Sequence, residues 1–187
     1  MQKKHLLLAL AATAVTASAM AQSSVTLYGR VNTTVEYQKT GDDKIYGLFN
    51  NSSRFGIKGV EDLGGGLKAG FQLESGFNSD TGMGAGANGG MSFDRQSEIN
   101  LSGGFGMVRL GNFFPESYFA TADYVSLHNH DTGSSSDALY YDPVWFGGLS
   151  TKNKVGYRTP NMGGLTVDAS VSMHEKDPSV GPRKNGY

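Results

Sequence analysis

A strict alternation of side-chain types over residues 25–37 limits the fold of this chain more than any other feature. The odd positions are mainly apolar, whereas the even positions all carry polar atoms: they are Thr26, Tyr28, Arg30, Asn32, Thr34 and Glu36. A period of two is that of a β-strand whose two faces lie in different environments. A strand of a globular protein typically has about 5 or 6 residues, whereas a tilted strand that crosses a membrane needs about 9 to 11. The length of the pattern therefore favours a membrane-spanning strand.

Six shorter segments repeat this alternation on either side of short turns. Their apolar positions are Phe55 and Ile57, Leu67 to Leu73, Ile99 and Leu101, Val108 and Leu110, Val155 and Tyr157, and Leu165 to Val171. The turns, within residues 61–66, 102–106 and 160–164, contain the glycines that tight reversals require. The other connections, near residues 38–52, 78–92 and 112–151, are much longer.

Short turns at one end of the strands and long loops at the other are typical of outer-membrane barrels, whose short turns face the periplasm. No apolar run after residue 21 is long enough for a transmembrane helix. We therefore predict an all-β fold in which residues 22–187 form an antiparallel transmembrane β-barrel wall of about seven strands.

The first residues have the pattern of a secretory signal peptide. Lys3, Lys4 and His5 precede a short apolar run, and the small-residue sequence Ala19-Met20-Ala21 follows it. This order of a basic, an apolar and a small-residue region predicts a signal peptide over residues 1–21, cleaved after Ala21. The mature protein is then expected to pass through the periplasm.

Composition and motifs argue against several other classes of protein. The chain has no cysteine, which excludes disulfides and thiolate metal sites, and its formal net charge of −1 gives no indication of nucleic-acid binding. His128 and His130 lack a further ligand with convincing spacing, so we predict no metal site. No motif of a hydrolase is present. We expect a protein that is not an enzyme and that needs no cofactor.

Two other readings of the pattern stay open at this point. The mature length also suits a small eight-stranded outer-membrane barrel with an adhesion or structural role, which would need an eighth strand within residues 139–146. A soluble periplasmic β-sandwich that serves as a binding module is the third reading.

Three sequence motifs resemble the general porins of β-proteobacteria. They are Val25-Thr26-Leu27-Tyr28-Gly29-Arg30, then Ser53-Arg54-Phe55-Gly56-Ile57-Lys58-Gly59 with Glu61-Asp62-Leu63-Gly64 after it, and Val155-Gly156-Tyr157-Arg158-Thr159-Pro160-Asn161-Met162-Gly163-Gly164. The resemblance implies a sixteen-stranded, usually trimeric barrel that conducts ions and small polar molecules, with a pore narrowed by the third extracellular loop. The chain is expected to be the N-terminal half of such a barrel.

The same resemblance implies a location and partners. We expect an integral protein of the cell outer membrane, in contact with outer-membrane lipid and lipopolysaccharide and forming a homotrimer in its full-length form. Small ions and polar solutes would pass through it.

If the apolar face of the strands meets lipid, the alternating charged residues face the channel lumen. The predicted pore-lining basic residues are Arg30, Arg54, Lys58, Lys68, Arg109, Lys154 and Arg158, and the acidic residues on the same face are Glu36, Glu74, Glu98 and Asp168. Because basic residues outnumber acidic ones, we predict a mild preference for anions.

The long segment near residues 112–151 has the opposite charge. It contains no lysine or arginine from residue 112 to residue 150, and its acidic residues are Glu116, Asp123, Asp131, Asp137 and Asp142. The resemblance to the porins implies that the third loop enters the lumen at Phe113-Phe114-Pro115-Glu116. We therefore expect an acidic constriction loop that faces a basic wall, although an ordinary solvated external loop is the alternative.

Overall fold

The computed structural model describes residues 23–120 and 152–173 of the chain. The strands are β1 (Ser24–Arg30), β2 (Thr33–Thr40), β3 (Asp43–Asn50), β4 (Arg54–Gly64), β5 (Leu67–Gly76), β6 (Gln96–Gly103), β7 (Gly106–Asn112), β8 (Lys154–Arg158) and β9 (Asp168–Ser172). A short helix, α1 (Glu116–Ala120), follows β7, and a 3-10 turn (Ala87–Gly89) lies between β5 and β6. The predicted signal peptide and most of the predicted constriction loop lie outside the described residues. None of the helices in this part of the chain has the length and apolar character needed to cross a membrane.

The strands form an antiparallel meander. Seven of them make one sheet in the order β1-β4-β5-β6-β7-β8-β9, and β2 pairs with β3 in a separate hairpin. With 11 and 10 residues, β4 and β5 each have the length of a tilted membrane-spanning strand. The prediction of an antiparallel all-β wall is confirmed.

The prediction of one continuous strand over residues 25–37 and a loop over residues 38–52 is wrong in detail. The strand is divided at residues 31–32 into β1 and β2, and most of the expected loop is β3. Between the pairs Arg30↔Arg54 and Thr33↔Asn50, residues 31–32 of the outgoing strand face residues 51–53 of the returning strand, which is one residue longer. Ser52, with a φ of 53°, lies in the longer side, as expected for a β-bulge. The result is a long two-stranded arm with one extra residue in its returning half.

The tight turns lie where the glycines predict them. The chain reverses between β4 and β5 through Gly64, Gly65 and Gly66, whose φ angles are 85°, 60° and 82°. Side chains with a Cβ atom rarely adopt these angles, so glycine is required there. The expected strand over residues 165–172 is shorter than predicted, because β9 begins at Asp168 and Leu165 forms only an isolated bridge with Met162.

The strand register separates apolar from polar residues on the two faces of the sheet. One row of paired positions runs through Phe71, Ile99, Leu110, Val155 and Val171. The adjacent row, on the other face, runs through Lys58, Gln72, Glu98, Gly111, Lys154 and Ser172. The sheet therefore has one apolar and one polar face, as alternation requires.

Burial is inverted relative to that of a water-soluble domain. Leu27 is 72% exposed and Ile99 is 58% exposed, whereas Glu98 and Arg109 are only 7% and 9% exposed. Within the described residues, the buried large hydrophobic side chains are Phe113 and Tyr118. In a water-soluble protein, large apolar residues form the core, and charged residues are almost never fully buried unless they are paired. The exposed apolar face therefore fits a lipid environment better than water.

Candidate functional site

The polar face of the seven-stranded sheet carries the candidate site. The register places all seven predicted basic residues on this face, because each pairs across the strands with other polar-face positions. Two clusters of charged side chains form there. One surrounds Arg109 near the start of the predicted constriction loop, and the other surrounds Glu74.

Arg109 is the centre of the first cluster. It lies on β7, and its guanidinium donates from Nε to Glu98 Oε2 at 2.9 Å, while its Nη2 lies 2.6 Å from the same oxygen. Its Nη1 donates to Glu116 Oε1 at 3.1 Å. Hydrogen bonds between charged groups are stronger than those between neutral ones, and burial increases their strength further. Arg109 thus connects strand β6 to the first residue of α1.

Glu116 extends this cluster to the last two strands. Its Oε2 lies 2.5 Å from Nη2 of Arg158 on β8. The same arginine donates from Nε to Asp168 Oδ1 on β9 at 2.8 Å. Acidic and basic side chains therefore alternate across four strands and α1, in the order Glu98, Arg109, Glu116, Arg158 and Asp168.

Phe113 is the apolar anchor of the same region. It is 2% exposed, and the centre of its ring lies 4.2 Å from Cζ of Arg109 and 5.2 Å from Nζ of Lys154. Lys154 Nζ also donates to the carbonyl oxygen of Phe113 at 3.2 Å. A Cβ atom built on Gly156 would come within 2.9 Å of the Phe113 ring, so the ring occupies space that only glycine leaves open. The segment after β7 is thus packed onto the polar face of β8.

Glu74 on β5 is the centre of the second cluster. It accepts hydrogen bonds from Tyr28 Oη at 2.9 Å and from Arg95 Nε at 2.7 Å, and Arg54 Nε lies 3.7 Å away. Gln72 donates to Tyr28 Oη at 2.7 Å. Three strands and the segment before β6 therefore share one buried carboxylate.

The other predicted residues are more dispersed. Arg30 is half-buried and pairs in register with Arg54, while Lys58 lies 5.4 Å from the centre of the Tyr28 ring. Lys68 is exposed near the β4–β5 turn. Glu36 lies on β2, outside the seven-stranded sheet, and accepts hydrogen bonds from Thr34 and Gln38. The predicted loop residues Asp123, Asp131, Asp137 and Asp142, and the cleavage site after Ala21, lie outside the described residues.

Several residues of the site were not identified from the sequence. Arg95 lies in the connection before β6, where no alternation indicates which way a side chain points. Asp62 shares the polar face with the predicted residues, since it pairs with Lys68, and its Oδ1 accepts from the Gly64 amide. The even position of Asp62 on β4 was the signal that could have found it. In residues 23–120 and 152–173, no group of three or more potential ligands could hold a metal ion.

Comparisons with known proteins agree with this geometry. Residues 7–186 match the family described as Gram-negative porin. The chain is 38% identical over 205 residues to outer membrane porin protein 32 of Delftia acidovorans, covering 98% of this chain and 55% of that protein. It is 33% identical over 196 residues to an outer membrane porin protein of Bordetella pertussis, covering 94% of this chain and 50% of that protein. The chain thus spans about half the length of these curated relatives.

Solved structures show the same likeness. The anion-selective porin from Comamonas acidovorans matches with a TM-score of 0.69 and 34% identity, over 83% of this chain and 48% of that one. OmpT of Vibrio cholerae, in its trimer form, matches with a TM-score of 0.57 at 18% identity, over 82% and 42% of the two chains. The latter supports the fold alone.

Proposed function

The chain belongs to the Gram-negative porin family and is a protein of the outer membrane. We propose that it forms part of the wall of a water-filled channel for small hydrophilic ions and solutes. Porins are channels rather than enzymes. The single observation that carries the proposal is the separation of the two faces of the sheet. The apolar face is exposed, as contact with lipid requires, while the polar face carries the charge clusters.

The proposal includes a mild preference for anions. Across residues 23–120 and 152–173, the clusters pair Arg54, Arg95, Arg109 and Arg158 with carboxylates, whereas Lys58, Lys68 and Lys154 form no ion pair. Unpaired cations on a channel wall lower the electrostatic cost for an anion that leaves bulk water. The solved relative from Comamonas acidovorans is described as anion-selective, which supports the same direction.

We also propose that the segment after β7 begins the constriction loop. Phe113 is buried on the polar face and Glu116 pairs with Arg109 and Arg158, so this segment turns toward the proposed lumen rather than away from the sheet. A homotrimer and contact with outer-membrane lipid and lipopolysaccharide are further parts of the proposal, and both follow from membership of the porin family.

The alternatives considered from the sequence are less compatible with these findings. A soluble periplasmic sandwich would expose its charged residues and bury its apolar ones, which is the reverse of what the sheet does. A small barrel with an adhesion role is not favoured by relatives that are porins of about twice the length of this chain.

The first prediction tests the channel directly. The complete barrel that contains this chain is reconstituted in a planar lipid bilayer, and the reversal potential is measured in a potassium chloride gradient. We expect stepwise conductance and a reversal potential displaced toward that of chloride. Replacing the unpaired lysines by Lys58→Gln and Lys68→Gln should move the reversal potential toward that of potassium.

The matched control is Lys152→Gln, which removes one charge from an exposed residue outside the strands. We expect it to leave the reversal potential unchanged. A complete barrel without conductance would disprove the channel. If the barrel conducts but its reversal potential does not change in Lys58→Gln or Lys68→Gln, these two lysines do not contribute to the anion preference.

A further inference from the structure

The side chain of Tyr28 bridges three strands on the polar face of the sheet. Tyr28 lies on β1 and pairs in register with Gly56 on β4, which pairs in turn with Glu74 on β5. A Cβ atom built on Gly56 would lie 2.5 Å from both Cζ and Oη of Tyr28. The phenol therefore crosses β4 in the space that Gly56 leaves open.

Two hydrogen bonds hold the far end of this ring. The Tyr28 hydroxyl donates to Glu74 Oε2 at 2.9 Å and accepts from Gln72 Nε2 at 2.7 Å. Both of these residues lie on β5. Because the ring is attached to β1 at one end and bonded to β5 at the other, its position over β4 is fixed.

Lys58 lies next to the same ring. It follows Gly56 by two residues on β4, so its side chain leaves the same face of the sheet. Its Nζ lies 5.4 Å from the centre of the Tyr28 ring, a distance at which the face of an aromatic ring attracts a cation. The lysine is exposed and forms no ion pair in the part of the chain that the structure describes.

A carboxylate is nevertheless within reach of Lys58. The lysine pairs directly with Gln72, so Glu74 is its diagonal neighbour on β5. Diagonal neighbours on antiparallel strands are about 7–8 Å apart, a gap that long side chains can close. The Tyr28 ring lies over Gly56, the residue directly opposite Glu74, and so separates the ammonium group from the carboxylate.

We infer that Tyr28 is a positioning residue for the anion preference of the channel, because it keeps Lys58 out of an ion pair with Glu74. Its hydroxyl gives the carboxylate a neutral donor, and the face of its ring holds the ammonium group. An ammonium group without a carboxylate partner keeps its full attraction for a passing anion. The inference rests on the proposed anion preference and names an uncharged residue on which one of the wall's charges depends.

The test is a substitution that changes no formal charge. The complete barrel with Tyr28→Leu is reconstituted in a planar bilayer, and its reversal potential is measured in a potassium chloride gradient. Without the ring, Lys58 can pair with Glu74, so we expect a displacement toward the potassium value of about half of that caused by Lys58→Gln. Tyr28→Phe keeps the ring between the two charged groups and should retain the reversal potential of the unchanged protein.

A double variant shows whether the effect acts through Lys58. In a barrel that already carries Lys58→Gln, the addition of Tyr28→Leu should cause no further displacement, since the lysine is absent. Tyr157→Leu is the matched control. Tyr157 also donates a hydrogen bond, to the carbonyl oxygen of Phe105 at 2.6 Å, but it lies on the apolar face. Its substitution should leave the reversal potential unchanged.

The inference is overturned if Tyr28→Leu has the reversal potential of the unchanged protein, or if it causes the same displacement with and without Lys58. In both cases the channel and the effect of Lys58→Gln would remain. If Lys58→Gln itself has no effect, the inference fails together with the role proposed for that lysine. Heat-modifiable mobility on gels confirms that each variant is folded. Tyr28→Thr, whose side chain suits a strand and is too short to reach Glu74, takes the place of a Tyr28→Leu barrel that does not fold.

Discussion

Arg109 binds two carboxylates at once, and one of them is deeply buried. Glu98 and Arg109 are only 7% and 9% exposed, and their charged atoms are as close as 2.6 Å. Removal of one partner of such a pair leaves the other as a buried charge without a counter-charge, which is strongly destabilising. The integrity of the wall at this point therefore depends on the pair rather than on either residue.

The second prediction follows from this dependence. Arg109→Ala should destabilise the folded barrel by about 3–5 kcal/mol, because it leaves the Glu98 carboxylate buried without a counter-charge. The measurement is the unfolding of the complete protein in denaturant, followed by heat-modifiable mobility. The double variant Arg109→Ala/Glu98→Ala should recover much of the loss. A double variant that is as unstable as the sum of the two single variants would show that the residues act independently.

Alternation was sufficient to predict which charged residues share a face, because it depends only on neighbouring positions along a strand. The contacts of Phe113 and Arg95 could not be predicted in this way. Both residues lie in connections, where the direction of a side chain depends on how the segment folds over the sheet. The space beside Gly156 that the Phe113 ring fills is formed jointly by β8, β9 and the segment after β7.

The segment that joins β7 to α1 is attached to the wall at two points. One is the Phe113 ring on Gly156, and the other is the pair of ionic contacts that Glu116 makes. Because these contacts lie on β7 and β8, they hold the start of the loop against the polar face.

The third prediction concerns the position that receives the Phe113 ring. Gly156→Ala adds a methyl group whose carbon would lie 2.9 Å from Cζ of Phe113, which is too close for both atoms to stay in place. Overpacking of this kind typically costs about 1–3 kcal/mol. We expect lower stability together with a changed single-channel conductance, because the start of the loop must move. Both are measured on the complete barrel.

Gly104 provides the control for this substitution. It lies in the β6–β7 turn, and a Cβ atom built there has no neighbour within 4 Å. Gly104→Ala should change stability by no more than about 0.5 kcal/mol, as surface substitutions usually do, and should leave conductance as it is. Equal conductance for Gly156→Ala and the unchanged protein would mean that the Phe113 anchor does not position the loop.

The β2–β3 arm shows where strand prediction from alternation fails. In β3, apolar residues occur at Ile45, Tyr46, Leu48 and Phe49, so the period of two is not visible and the segment was expected to be a loop. The partner strand supplies the missing information, because β2 alternates strictly and holds β3 in register. Pairing with β2, rather than the pattern of β3 itself, makes this segment a strand.

The seven-stranded sheet has two open edges. Among the described strands, β1 pairs only with β4 and β9 only with β8. In lipid, each backbone amide or carbonyl without a partner costs several kcal/mol. The two edge strands, β1 and β9, therefore need pairing partners before the wall is stable in a membrane.

The fourth prediction states this requirement as an experiment. A polypeptide of residues 22–187, refolded alone in detergent micelles and added to a planar bilayer, should give no stable stepwise conductance. It should also lack the heat-modifiable mobility of a closed barrel. Stable conductance from this polypeptide would contradict the prediction and favour a small closed barrel.

The extra residue in the returning half of the arm limits which changes of length the arm can accept. Because of the extra residue Ser52, the even-numbered residues of β3 lie on the same, apolar face as the odd-numbered residues of β4. Loss or gain of one residue there would reverse the faces of one of the two strands and move its apolar side chains to the polar face of the sheet. Insertion or deletion of two residues within the arm would keep the apolar side chains of both strands on one face, whereas a change of length at the tip, residues 41–42, would leave the pairing of β2 with β3 unchanged. The number of residues in this region therefore matters for the fold as well as their identity.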